Sequence, residues 1–315
     1  MDIVIISLFA AGIRLSISIA LAALGETLSQ RGGVMNVGLE GMMMFAAFVA
    51  AAVSVYTGSP WLGVVCAMIS AALLAGIHAI FVVYIGANQI ISGLALILLG
   101  MGLAGVGYRL TIGQSPVSIP SFSPLDLGFL SDIPLVGPIF FQHSALVYVT
   151  LFLTVILSLV LSKTTWGLGL RACGENPSAA DAAGLNVATY RTTAIVVGGA
   201  MAGLGGAFLV LAQVHAFVEG MVAGRGFIAL ACVVFGGWRP MWVLVACLGF
   251  GFADALQIRL QVWYPDIPYQ LFVMFPYVVA LCTLVFFASR SVGPAALGKH
   301  FPIPRRRIKE LRPNM

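Results

Sequence analysis

The chain has 315 residues, 60% apolar and only 9% charged, with a mean hydropathy of +1.04. Soluble domains carry about 25% charged residues, so the composition excludes one and describes an integral membrane protein with room for about eight to ten spans of ~20 residues. The formal net charge of +5 does not indicate nucleic acid: basic residues gather after the final apolar run, at Arg290, Lys299, Arg305, Arg306, Arg307, Lys309 and Arg312, and positive-inside bias places that tail (289–315) in the cytoplasm.

The run Ile3 to Leu24 reads as a retained first span, without the basic leader or small-residue cleavage site of a signal peptide. Arg14 within it is expected at an interface or facing the protein interior. The following stretch, GETLSQRGGVMNVGLEG (25–41), is too polar to face lipid yet runs directly into apolar Met42 to Tyr56. Irregular backbone at membrane depth persists only where protein or water surrounds it. A broken or re-entrant segment is therefore predicted, holding Glu26, Arg31, Asn36 and Glu40 away from lipid.

A turn at Thr57-Gly-Ser-Pro60 leads to Trp61, an interface anchor, and to a span ending near Ile85. His78 inside that span reads as a packed core histidine. Gly86-Ala-Asn88-Gln89 then interrupts the pattern before a glycine-rich span from Ile90 to about Val106. Neutral amides at such a break can hydrogen-bond sugar hydroxyls or base edges, or merely cap helix ends. Both readings stand for Asn88 and Gln89.

From Thr111 to Gln142 there is no lysine or arginine, and prolines stand at 116, 120, 124, 134 and 138. A stiff extracytoplasmic loop without regular structure is expected (111–142), carrying Asp126 and Asp132 and suited to docking a binding protein. The next span, from Ser144 to Leu161, returns the chain to the cytoplasm at KTTWGLGLRACGENPSAADAAGLNV (163–187). There Asn176 is a good N-cap, Pro177 suits the first helical position and Gly184 can close the helix in the left-handed conformation. A helix of about two turns, roughly 10 Å long, needs a partner surface to hold it. Its small residues Ala179, Ala180, Ala182 and Ala183, edged by Arg171, Glu175 and Asp181, suit insertion into another protein's groove as a docking knob, while an ordinary cytoplasmic loop with a helical turn reads equally well from this stretch alone.

After Arg191 a further span runs to about Val214, and QVHAFVEGMVAGRG (213–226) breaks the pattern again. The apolar piece Phe227 to Phe235 is too short to cross a core of about 30 Å as a helix. Two interrupted segments, one in each half, point to a transport pathway at a repeat interface, the alternative being a chance similarity among glycine-rich membrane segments. Gly236-Gly-Trp-Arg239-Pro240 makes a cytoplasmic turn, Met241 to Leu260 crosses outward, Tyr264-Pro-Asp-Ile-Pro268 turns, and Tyr269 to Phe287 is the last span. The fold class is all-α and polytopic, one transmembrane domain over 1–315 with about nine spans.

Cys66, Cys173, Cys232, Cys247 and Cys282 are scattered and mostly apolar in context, and the four histidines are isolated. No zinc pattern, catalytic constellation or Gly-Lys-Ser/Thr phosphate loop occurs, so neither an enzyme nor a cofactor is expected, and ATP is not expected to bind this chain.

The run Arg171-Ala-Cys-Gly-Glu-Asn-Pro-Ser-Ala-Ala-Asp-Ala-Ala-Gly184 resembles the coupling-helix segment of ABC importer permeases of the branched-chain amino acid, simple-sugar and nucleoside group. Gln30 to Gly41 resembles their early Asn-Ile-Gly-Leu-Glu-Gly signature, with Val37 in place of Ile, and Ala223 to Leu230 and Phe252 to Gln257 add to the likeness. The resemblance implies an ATPase-coupling set (Arg171, Gly174, Glu175, Asn176, Pro177, Ala180, Asp181, Gly184) and multi-pass residence in a prokaryotic cytoplasmic (inner) membrane. It also implies three partners: an ABC ATPase subunit, a second related permease and an extracytoplasmic substrate-binding lipoprotein. The substrate implied is a purine nucleoside, with a simple sugar such as ribose as the alternative. Asn36, Glu40, Asn88, Gln89 and Phe217 are expected to line the path. An ion-coupled secondary transporter using Glu26, Glu40 or Glu219 is the reading from another class, although it has no need of a docking knob.

Overall fold

The computed structural model describes residues 2–113, 118–125, 136–279 and 292–302, with 128, 131, 133 and 282 between them. Asp126, Asp132, Arg290 and the basic residues from Arg305 onward lie outside the described residues, as does the end of the last expected span.

Long apolar runs make helices here because every backbone polar group in a bilayer must be satisfied within its own segment. Eleven α-helices occur among the described residues, in chain order: α1 (Asp2–Arg31), α2 (Leu39–Thr57), α3 (Pro60–Ala79), α4 (Gln89–Thr111), α5 (Ala145–Lys163), α6 (Thr165–Glu175), α7 (Pro177–Ala182), α8 (Val187–Phe208), α9 (Arg225–Phe235), α10 (Pro240–Trp263) and α11 (Tyr269–Val273). Among the described residues there is no strand. Seven segments among the described residues are long and apolar enough to cross a membrane, and two shorter apolar helices, Arg225–Phe235 and Tyr269–Val279, accompany them. That matches the all-α polytopic class, with seven helices of crossing length where about nine spans were expected.

Helices α2 and α8 form the buried centre. Helix α8 packs along α1, α2 and α3, while α1 also lies against α9 and α10, and α4 packs outside α2. Close approach depends on glycine at the α1–α8 crossing, where a Cβ on Gly198 would sit 2.7 Å from the Gly25 carbonyl oxygen. Without a hydrophobic drive between helices in lipid, this kind of backbone contact carries the association.

Three boundaries differ from expectation. The first break occupies residues 32–38 only, because Gly25 to Arg31 continue α1 with regular hydrogen bonding. The second begins after Val214, since α8 runs on through a π-helical turn, Leu209–Val214. The loop expected over 111–142 is not wholly irregular: Gly137–Phe141 forms a π-helical turn that packs on α1. The loop also folds back onto the bundle, with the Phe122 N–H donating to the Leu211 carbonyl at 2.8 Å and its ring edge-on to Trp61.

Candidate functional site

The knob is built from local caps. The Asn176 side chain accepts from the Ala179 N–H at 3.0 Å, Pro177 opens the six-residue α7, and Gly184 closes it at φ +88° with the Leu185 N–H returning to the Ala180 carbonyl. Thr164 caps α6 and Asn186 caps α8 in the same way. Ser178, Ala179, Ala182 and Ala183 are exposed, as is Glu175. Ala180 instead turns inward onto Cys173, Val187 and Phe301, so it fastens the knob to its own chain. Burial pushes the Cys173 thiol above its ordinary pKa, which keeps it an inert packing group.

Beneath the knob three segments are tied by one side chain. Arg191, 3% exposed, donates from Nε to the Gly32 carbonyl at 3.0 Å, from Nη1 to Lys299 at 3.1 Å and from Nη2 to Cys173 at 3.4 Å. Its charge thus sits where α1 and α6 end, at carbonyls that lack a helical partner. Residues 292–302 form a strap across the same surface. Ala295 N–H donates to Glu175 Oε2 at 3.2 Å, Ala296 N–H to the Gly174 carbonyl at 2.9 Å, and Gly298 N–H to the Gly33 carbonyl at 3.2 Å. Gly174 lies so close to the Arg31 carbonyl that a Cβ would clash. Knob, strap and first break are therefore one mechanical unit.

The two breaks meet through Glu40. Its Oε1 accepts from the Gly224 N–H at 2.7 Å and its Oε2 from the Gly226 N–H at 2.8 Å, placing a carboxylate on the N-terminus of α9. Arg225 reaches Asp254 at 3.8 Å beside it. At the first break, Glu26 Oε1 accepts from Gln30 Nε2 and from the Asn36 N–H, each at 2.9 Å, and Gln30 Oε1 takes the Trp238 indole N–H at 2.7 Å. Asn36 Oδ1 accepts from the Gly38 N–H at 3.0 Å, and Gln89 Oε1 accepts from the Met35 N–H at 2.8 Å.

Asn36, Glu40 and Gln89 are thus all buried, Asn36 and Gln89 bonded within or against the first break and Glu40 bonded across to α9. Asn88 stands apart as the cap of α4, accepting from the Ile90 and Ile91 N–H groups. Phe217 lies nearer the loop end, buried, its ring 4.7 Å from Tyr108 and 6.2 Å from Phe48, beside an exposed Arg109–Glu219 pair at 3.1 Å. His78 is fully buried, with Nδ1 against the Ser92 hydroxyl at 3.0 Å. Sequence reasoning left Gln30, Trp238, Arg191 and Asp254 out of the site. The i, i+4 spacing of Glu26 and Gln30 was an available signal for the first, whereas the others pair only through the fold.

Spans broken at two points that share a carboxylate, with a capped knob strapped to one end, define a polytopic membrane permease. Residues 8–284 match the permease component of the branched-chain amino acid transport system, and the chain belongs to that family. It is 37% identical over 292 residues to the guanosine ABC transporter permease protein NupQ of Bacillus subtilis, covering 88% of this chain and 91% of that one. The nucleoside ABC transporter permease protein NupC of Lactococcus lactis is 33% identical over 289 residues, 89% of this chain and 91% of its own. The putative glucose ABC transporter permease protein TsgC13 of Haloferax volcanii is 39% identical over 262 residues, 80% of this chain and 79% of its own. No solved structure matches.

Proposed function

We propose that this chain is the membrane permease subunit of an ATP-driven importer of purine nucleosides in a prokaryotic cytoplasmic membrane. The observation that carries the reading is the near full-length likeness to the guanosine and nucleoside permeases. A sugar cargo is the second reading, supported by the likeness to the glucose permease. The knob supports the coupling half of the proposal. A six-residue helix held by its own caps, with an exposed small-residue face, suits the groove of a separate ATPase subunit.

In this reading the knob end is cytoplasmic and so is the C-terminus, and ATP is hydrolysed on the partner. Closure of the ATPase pair moves the segment from Arg171 to Leu185. Gly174, Glu175, Asn176, Pro177, Ala180, Asp181 and Gly184 shape that segment, and Arg191 and the strap pass its movement to the first break. The Glu40 tether carries it on to α9. The helices then open alternately toward a binding lipoprotein and toward the cytoplasm, in a pair with a second related permease. Asn36, Glu40, Asn88, Gln89 and Phe217 are the proposed contacts along the way, with most selectivity left to the lipoprotein.

The test is co-purification from native membranes, wild type beside Ala179→Arg with Ala182→Arg, together with uptake of labelled guanosine in the presence of excess ribose or glucose. The expected result is an ATPase that accompanies wild type and is lost from the double variant, and guanosine uptake that neither sugar inhibits. A wild-type chain that purifies alone and transports without ATP would exclude the coupled mechanism. Competition by a sugar would transfer the cargo to the second reading.

A further inference from the structure

At the knob end, where α1, α5 and α6 approach the turn before α10, the bundle carries a cavity of about 350 Å³. It is lined by Arg31, Arg171 and Arg239, with Ser158, Ser162 and Trp242 at its sides. Three guanidinium groups share this small space. Arg171 and Arg239 both lie near enough to Arg31 to repel it, and Glu175 is the carboxylate close enough to attract it. Among the described residues the ion pairs are Arg109–Glu219 and Arg225–Asp254, so none of the three cavity arginines has one.

Arg31 is held in place. Arg31 Nε donates to the Trp238 carbonyl at 2.9 Å and Nη2 to the Gly237 carbonyl at 3.4 Å, which fixes the rest of its guanidinium toward the cavity. Arg171 Nε is buried and has no hydrogen-bond acceptor among the described residues. A buried donor without an acceptor is costly, and fixed guanidinium forks match the oxygens of a phosphate.

The surroundings indicate where such a phosphate comes from. Ser162, Met241 and Trp242 at the mouth are exposed, and tryptophan favours the boundary between headgroups and hydrocarbon. One turn deeper on the same helix faces lie exposed Val155, three residues before Ser158, and exposed Val245, four residues after Met241. The cavity therefore opens sideways onto an apolar helix edge. Arg171, at the root of the knob, lines the cavity, whereas the exposed small residues that would meet an ATPase, Ser178, Ala179, Ala182 and Ala183, do not.

We propose that this cavity binds the phosphate of an anionic phospholipid of the cytoplasmic leaflet, with Arg31, Arg171 and Arg239 holding the phosphate oxygens and the acyl chains lying along Val155 and Val245. Basic pockets between helix ends on the cytoplasmic side suit such headgroups. The inference rests on the reading of the knob end as cytoplasmic and is independent of the cargo. A lipid there offsets the mutual repulsion of the arginines and fastens the root of the coupling segment, at Arg171, to the membrane plane.

The experiment uses the full-length chain, delipidated in dodecyl maltoside and titrated with phosphatidylglycerol, phosphatidylcholine, glycerol 3-phosphate or inorganic phosphate, with retained adducts counted by native mass spectrometry. Phosphatidylglycerol should be retained and the other three should not. Arg239→Gln should weaken its retention by about fivefold, the worth of one basic residue at an anionic surface, and Arg239→Glu by more. Lys299→Gln, an exposed change outside the cavity, should leave it unchanged. Equal retention of phosphatidylcholine, or full retention by Arg239→Glu, would overturn the site. Saturation by inorganic phosphate alone would assign it to a free anion, and displacement of the lipid by a co-purified ATPase would assign it to that subunit; either overturns the lipid proposal. Lys299→Cys should react with an impermeant thiol reagent only after cells are permeabilised. Reaction in intact cells would overturn the sidedness and with it the coupling reading, separately from the phosphate chemistry.

Discussion

Glu40 shows what one side chain does in this fold. Its two oxygens accept the Gly224 and Gly226 N–H groups at the start of α9, where helical amides lack partners of their own. Glu40→Gln keeps the shape but turns an amide NH2 toward one of those donors. It should cost about 1–3 kcal/mol, read as a lower midpoint in a detergent thermal melt, and an unchanged midpoint would show that the carboxylate is no tether. Asn88 raises a different question, because its side chain already caps α4. Asn88→Ala should cost about 1 kcal/mol of helix stability while Asn88→Ser restores most of it. Uptake that recovers with serine marks a capping role, and uptake that stays low marks contact with the cargo. The sequence could not separate these two readings, since both require an amide at a helix start.

At the scale of elements, the knob was legible because its signals are local: a capping amide, a proline after it and a glycine at the end lie within nine consecutive residues, 176–184. The strap was not legible, because it is held by backbone donors of Ala295, Ala296 and Gly298 that leave no pattern in side chains. Ala295→Pro tests it directly. Position 295 is the second residue of a turn closed by the Leu297 N–H to the Pro294 carbonyl, a place that suits proline, so the change removes only the donor to Glu175. The ATPase should still co-purify, while uptake per ATP hydrolysed should fall by roughly fivefold, an ordinary size for a coupling residue; unchanged stoichiometry would exclude the strap from transmission.

The outer loop gives a pH expectation of the same kind. Burial pulls the His143 pKa below its ordinary 6.5, with nearby Arg14 adding to the effect and the hydrogen bond to the Ile139 carbonyl opposing it. A depressed histidine resists the proton that the unfolded segment accepts, so its stabilising contribution is complete above pH 6.5 and declines as pH falls through the folded-state value. Protease cleavage of the loop should therefore rise on acidification, and His143→Gln should flatten that dependence.

For the whole molecule, hydropathy alone located the spans, because each apolar run must satisfy its own backbone. The presence of two breaks was also legible as runs of polar and glycine residues. Their meeting was not: Glu40 and Gly224 are 184 residues apart in the chain, and nothing in either neighbourhood names the other. The same holds for Gln30 with Trp238 and for Arg191 with the ends of α1 and α6. Local chemistry shapes each piece, while the assembly depends on contacts that sequence distance conceals.

The π-helical turn at Leu209–Val214 sets the rotational phase of the chain beyond it. Such a turn amounts to one residue inserted into an α-helix, so excising a single residue from 209–214 would let the helix continue regularly and rotate everything beyond by about 100°. Phe217 would swing out of register with Tyr108 and Phe48, and the Leu211 carbonyl that now receives the Phe122 N–H would be claimed by its own helix. One codon thus sets whether the Phe217 ring meets Tyr108 and Phe48 or turns away from both.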